Sequence, residues 1–248
     1  MIEIRELTKK YGKLTAVDKL TLSINAGEIF GFIGPNGAGK TTTIGMIAGL
    51  LAPTTGSVSI CGIDMLKNPK QAKQKIGYIP DRPYIYEKLT AMEFLKFTAD
   101  LFSMKNSDFE QKAEAKLKKF SLIDWADELI ESFSHGMKQR LIMAAALIHE
   151  PEVIVVDEPM VGLDPSAIKM VKQMLVDLAA DGTTIFMSTH TLKIAEDVCH
   201  SIGVIHKGKL IAKGTVKELR QQAELKQQTN SENIDLEQLF MLLTETPL

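Results

Sequence analysis

The stretch EIFGFIGPNGAGKTTTIGMIAGL, Glu28 to Leu50, decides how the rest of the chain is read. EIFGFIG is a short apolar run with the character of a buried strand, and TTTIGMIAGL carries helical spacing until the Pro/Gly turn LAPTTG. Between them, Gly34, Pro35, Asn36, Gly37, Ala38, Gly39, Lys40 and Thr41 fit the pattern G-x-x-x-x-G-K-[ST], and Thr42 continues into the helix. Glycines in such a loop let backbone N–H groups curl around phosphate oxygens, and the helix adds its positive end. Lys40 is then placed to reach the terminal phosphates, and the Thr41 hydroxyl to sit on Mg²⁺. A strand before and a helix after are the context this chemistry needs.

Working outward, IEIREL and KLTLSI alternate apolar and polar residues as half-buried strands do, and SVSI and KIGYIP read as further strands. From about 90 to 150 the chain is rich in helix formers (AMEFLKFTADLF, DFEQKAEAKLKKF) and has no strand signal. VIVVD, bounded by Pro151 and Pro159, reads as a parallel strand buried on both faces. TTIFMS is another, and SIGVIH with KGKLIAKG reads as a closing pair. The expected fold class is α/β, with a helical insert of residues 90–150 inside a main domain of residues 1–220. Residues 221–248 form a polar linker that ends in an amphipathic patch, IDLEQLFMLL.

With 248 residues, 45% hydrophobic and 24% charged, the chain is long enough for one large α/β domain and its core. A formal net charge of -2 offers no electrostatic footprint for nucleic acid, so no nucleic-acid partner is expected. Cys61 and Cys199 are far apart and outside any CxxC pattern, which fits reduced, packed thiols of a cytosolic protein. MIEIRELTKK lacks the apolar segment of a signal peptide. The longest apolar run, LIMAAALI, is far short of the ~20 residues of a spanning helix. Work at a membrane would therefore go through a partner. GTP-binding proteins would need N-K-x-D and D-x-x-G, and neither string occurs.

Two further clusters carry chemistry. Asp157, ending VIVVD, is placed to hold Mg²⁺ directly or through water. Glu158 follows it, and either polarises an attacking water or pairs with a cation at the strand end. In SFSHGMKQRL, the turn Ser134-His135-Gly136 precedes the helix-like run MKQRLIMAAALIHE and makes a second anion site at a helix start.

Phosphate loop, helical insert, S-x-G turn and aspartate-glutamate strand end, in this order, resemble the ATP-binding-cassette (ABC) ATPases over about residues 2–215. The resemblance implies a P-loop NTPase core with an antiparallel β-subdomain and an inserted α-helical subdomain. It implies ATP and Mg²⁺ as ligands, and two chains sandwiching two ATPs, so that Ser134 and Gly136 meet the γ-phosphate held by the other chain. It implies Tyr11 stacking on adenine, Val17 contacting base or ribose, and His190 hydrogen-bonding the γ-phosphate. Asp164, in VGLDP, matches the loop that crosses the dimer interface, with a plain helix cap ahead of Pro165 as the alternative. Glu158 would act as general base, with Lys40 and His190 stabilising the transferring phosphoryl group.

Two positions depart from the family pattern. FSHGM stands where L-S-G-G-Q is usual, and Asp81, in YIPDRP, stands where a glutamine is common. Asp81 either binds Mg²⁺ or its water, or caps the next turn. Both departures are similar to bacterial exporter-type ATPases for drugs and surface polymers. The expected partners are a polytopic membrane permease and a second ATP-binding subunit, at the cytoplasmic face of the membrane. An importer subunit, or a soluble ABC protein acting on ribosomes, stays open. The C-terminal DLEQLFMLL is also like the exporter branch, and reads as docking on the chain's own core rather than on a partner.

Overall fold

The computed structural model describes residues 1–81, 84–227 and 240–241. Alternating residues over Ile2–Tyr11 (β1) and Leu14–Ile24 (β2) produce an antiparallel pair in which Ile2 faces Ile24 and Ile4 faces Leu22. β2 begins earlier than KLTLSI because Gly12, at φ 57, lets the chain reverse at once after Tyr11. Ile29–Ile33 (β3) leaves this sheet, and the helix Lys40–Ile47 (α1) follows it. Thr55–Ile60 (β4) and Ile63–Asp64 (β5) return to complete a four-stranded antiparallel sheet of order β2-β1-β4-β5.

A second sheet is built around β3. After the short helix Pro69–Gln74 (α2), Ile76–Ile79 (β6) forms one edge of it. The chain then runs through three helices, Ala91–Leu101 (α3), Asn106–Lys119 (α4) and His135–Ala146 (α5), before re-entering the sheet as Val153–Asp157 (β7). Helix Pro165–Ala180 (α6), strand Thr184–Thr189 (β8), helix Leu192–Val198 (α7), strands Ser201–His206 (β9) and Lys209–Gly214 (β10), and helix Val216–Gln227 (α8) follow. The sheet order is β10-β9-β3-β8-β7-β6. β7 pairs parallel with β6 and β8, β3 pairs parallel with β8 and β9, and β9 and β10 close the sheet antiparallel. β3, β7 and β8 are buried along their whole length, which is why they read as apolar runs without alternation.

Phe30, Phe32 and Phe186 pack with ring centroids 5.2 to 6.4 Å apart, in a core shared with Ile2, Ile4 and Leu22 of the antiparallel sheet. A separate core joins the other face of the parallel sheet to α3, α4 and α5. α5 ends at Ala146, short of the helix expected through Glu150. The chain must turn before Pro151, which disfavours a helical residue ahead of it, and Glu150 takes φ 53. His149 consolidates that turn: Nε2 lies 3.1 Å from the Ile76 carbonyl, and the ring stacks on Phe102 at a centroid distance of 3.5 Å. Trp125 sits between α4 and α5, its ring edge-on to Phe133 at 6.3 Å.

The amphipathic patch expected at the C-terminus lies outside the described residues except for Phe240 and Met241; Phe240 packs against the cluster of Ala195, Ile202 and Leu219. Among the described residues no helix is long and apolar enough to cross a membrane.

Candidate nucleotide site

The phosphate loop runs from the end of β3 to the start of α1. Gly37 has φ 77 and Gly39 φ 109, left-handed geometry that L side chains avoid. A Cβ on Gly39 would also stand 2.5 Å from the Ala16 carbonyl, whereas the position above Gly37 is open. The loop is thus packed against the chain behind it and bare in front. Lys40 is only 8% exposed, and its Nζ donates to the carbonyls of Gly34 (2.7 Å) and Pro35 (3.2 Å). Burial pulls its ammonium below the ordinary lysine range, and the charges of Glu158 and Asp157 oppose that pull. Ala38 is buried; its N–H donates to the Pro35 carbonyl (3.1 Å), and its own carbonyl accepts from Gly208 N–H (2.9 Å).

In front of the loop lies a cleft of about 470 Å³. One wall is the β1–β2 turn, with Tyr11 and Leu14 to Ala16. The floor is Asn36, Gly37 and Gly39 to Thr42, and the third side is the β9–β10 turn, Lys207-Gly208. Tyr11 is 47% exposed, open for stacking. Val17 corrects an expectation: it is 0% exposed, with its Cγ2 beneath Gly39, so it supports the loop from behind and has no surface for base or ribose. The family resemblance carried the role over by position and did not show which side of β2 faces the core. A larger cavity of about 550 Å³, lined by Tyr78, Tyr84, Phe94 and His149, lies away from the loop between β6, α3 and α5; it is mainly apolar.

Asp157 and Glu158 sit at the end of β7, and His190 just beyond β8. Asp157 is 4% exposed, and its Oδ1 accepts a hydrogen bond from the Ser188 hydroxyl, which fixes the carboxylate. Glu158 takes φ 49, so the chain turns sharply straight after the strand, and its N–H still donates to the Ser188 carbonyl (3.2 Å). The turn brings Glu158 Oε1 within 2.8 Å of His190 Nδ1. Asp81 is exposed just beyond β6. Burial, then the charges of Asp157 and Asp81, push the Tyr78 hydroxyl pKa up.

Ser134, Gly136 and Asp164 do not line the cleft; they form a second patch. Ser134 caps α5, accepting from Met137 N–H (3.3 Å), and Asp164 caps α6, accepting from Ala167 N–H (2.9 Å). The two turns touch. A Cβ on Gly162 would stand 2.8 Å from the His135 ring, and one on Gly136 would reach Leu163 at 4.0 Å. Sequence reasoning missed Ser188, whose signal was a hydroxyl inside an apolar strand. It also missed the cleft wall Leu14 to Ala16 and the turn Lys207-Gly208, which carried no local signal.

The cleft fits a nucleoside triphosphate. It offers an exposed aromatic at one end, a bare glycine backbone and a buried lysine at the other, and a fixed carboxylate beyond. Among the described residues no group of three or more His, Cys, Asp or Glu is arranged to hold a metal ion. A hard cation held by Asp157 and Thr41 would take further oxygens from phosphate and water.

A family model described as "ABC transporter" matches residues 17–161. The linearmycin resistance ATP-binding protein LnrL of Bacillus subtilis is 38% identical, over 88% of this chain and 70% of its own length. The Nod factor export ATP-binding protein I of Paraburkholderia xenovorans is 37% identical, over 86% and 70%. A solved ATP-binding subunit of an ABC transporter superposes with TM-score 0.90 at 33% identity, over 98% of this chain and 99% of that one. A dimeric bacterial ABC transporter cassette, MJ0796, gives TM-score 0.80 at 27% identity, over 87% and 99%. Fold, phosphate loop and relatives agree: the chain belongs to the ABC transporter family, as one of its ATP-binding subunits.

Proposed function

We propose that this chain is the ATP-hydrolysing subunit of an exporter, working as a pair of cassettes on the cytoplasmic face of a polytopic permease. The observation that carries the pairing is the separation of two phosphate-directed features within one chain. The cleft contains Lys40 and Tyr11, while Ser134, Gly136 and Asp164 lie outside it. A second cassette, docked head to tail, would bring its Ser134 turn onto the first one's ATP. The solved dimeric cassette supports this arrangement, and the relative named for Nod factor export supports the direction. Residues 1–220 form the ATPase unit, and the helical block of residues 90–150 carries its motion to the permease.

In this reading Tyr11 stacks on adenine, and Gly34 to Thr42 wrap the phosphates. Thr41 and Asp157, with Asp81 as a further candidate, would hold Mg²⁺, which would supply charge neutralisation for the phosphates. Glu158 takes the proton of the attacking water, and His190, 2.8 Å away, orients that carboxylate and reaches for the γ-phosphate. Lys40 and the second chain's Ser134 stabilise charge on the transferring group. The test pairs two measurements. Glu158→Gln should retain ATP binding and lose turnover; unaltered turnover removes Glu158 from the base role. Purification from gently solubilised native membranes should carry a polytopic membrane protein along. A chain recovered only with ribosomes or alone would sink the transport reading and leave the ATPase chemistry standing.

A further inference from the structure

We propose that Lys207 is a nucleotide-binding residue, its ammonium pairing with the phosphate chain of the ATP in the Gly34–Thr42 loop; this rests on reading that loop as an ATP site. Lys207 and Gly208 form the two-residue turn between β9 and β10, where His206 faces Lys209. Both have positive φ, 46 and 79, the pattern of a tight hairpin turn that favours Asn, Asp or Gly at its first position. Lysine is a poor choice there for the backbone alone. Strained residues of this kind gather where a side chain is needed for function. Among the described non-glycine residues with positive φ, Lys207 alone lines the cleft.

The turn is also held firmly. Gly208 N–H donates to the Ala38 carbonyl of the phosphate loop (2.9 Å), and the Gly208 carbonyl accepts from Asp18 N–H (2.9 Å). A Cβ on Gly208 would stand 2.8 Å from the Ala16 carbonyl. The backbone that carries Lys207 is therefore stitched to both the phosphate loop and the Tyr11 wall. Neighbouring Lys209 has a partner in Asp18 at 3.6 Å, whereas Lys207 has no ion pair among the described residues. Lys40 and Lys207 are the charged residues of the cleft lining, and no carboxylate lines it. A half-enclosed cleft with two cations and no anion suits a polyphosphate.

The experiment is equilibrium titration of the purified full chain with a fluorescent ATP analogue, mant-ATP, at low and high KCl. Lys207→Met should bind roughly tenfold more weakly than wild type at low salt, the effect of losing one charge-assisted contact. Lys207→Arg should bind near wild type, and the gap between Met and Arg should narrow as salt screens the charge. Lys207→Gly removes the same charge while easing the left-handed turn. Its loss of affinity should match that of Met and cannot come from a damaged fold. Wild-type affinity in the Met or Gly variant overturns the proposal, as does an Arg variant as weak as Met. Failure of the wild-type chain itself to bind mant-ATP overturns the ATP-site reading, and this inference with it.

Discussion

Lys40 is buried, donates to two carbonyls and feels two carboxylates, so few side chains can stand in for it. Lys40→Ala should weaken ATP binding by about 10–100-fold, the worth of a charged hydrogen-bonding group; unchanged affinity by calorimetry would end its assignment to the phosphates. His149 gives a pH prediction. Burial lowers its pKa from 6.5 to about 4, so as pH falls the unfolded chain takes up a proton before the folded one does. The stability that neutral His149 provides is complete above pH 6.5 and is lost as pH drops toward 4. Urea midpoints over that window should fall less steeply in His149→Phe, and identical slopes would refute the assignment. The candidate site residues stood out at this scale because phosphate chemistry demands fixed types at fixed spacing. Val17 was misjudged because which way a side chain points is set by what packs behind it.

Among elements, the strands were legible wherever their two periods differ: alternation in β1 and β2, unbroken apolar runs in β3, β7 and β8. Helices α2, α6 and α7 were not singled out, because each lies between stronger strand signals, and α8 runs through Gln227 into the stretch expected to be a polar linker. The end of α5 was placed too late, since the run of apolar residues continues through Ile148 while the backbone has already turned toward Pro151. The seating of α5 on β6 turns on Gly77, where a Cβ would stand 2.5 Å from the Ala146 carbonyl. Gly77→Ala forces backbone against backbone, and should destabilise the fold by about 1–3 kcal/mol. Chemical denaturation reads this directly, and a neutral result would mean that strand and helix are free to separate.

At the scale of the molecule, one core ties both sheets together and another ties the helical block to the parallel sheet. The nucleotide cleft belongs to the first unit, and the Ser134 turn to the second. That division was expected from the helical insert and from the family resemblance, not from spacing, because distance along a chain says nothing about which face a turn presents. The chain's single tryptophan, Trp125, lies in the helical block with its ring edge-on to Phe133, next to Ser134. Nature has thus installed one intrinsic fluorophore beside the turn that would meet a second cassette, so no dye need be attached to watch it. Titrating ATP into Glu158→Gln should shift the emission in step with a rise in mass by light scattering. A spectrum that stays constant while the mass doubles would mean that the helical block is rigid when two chains meet.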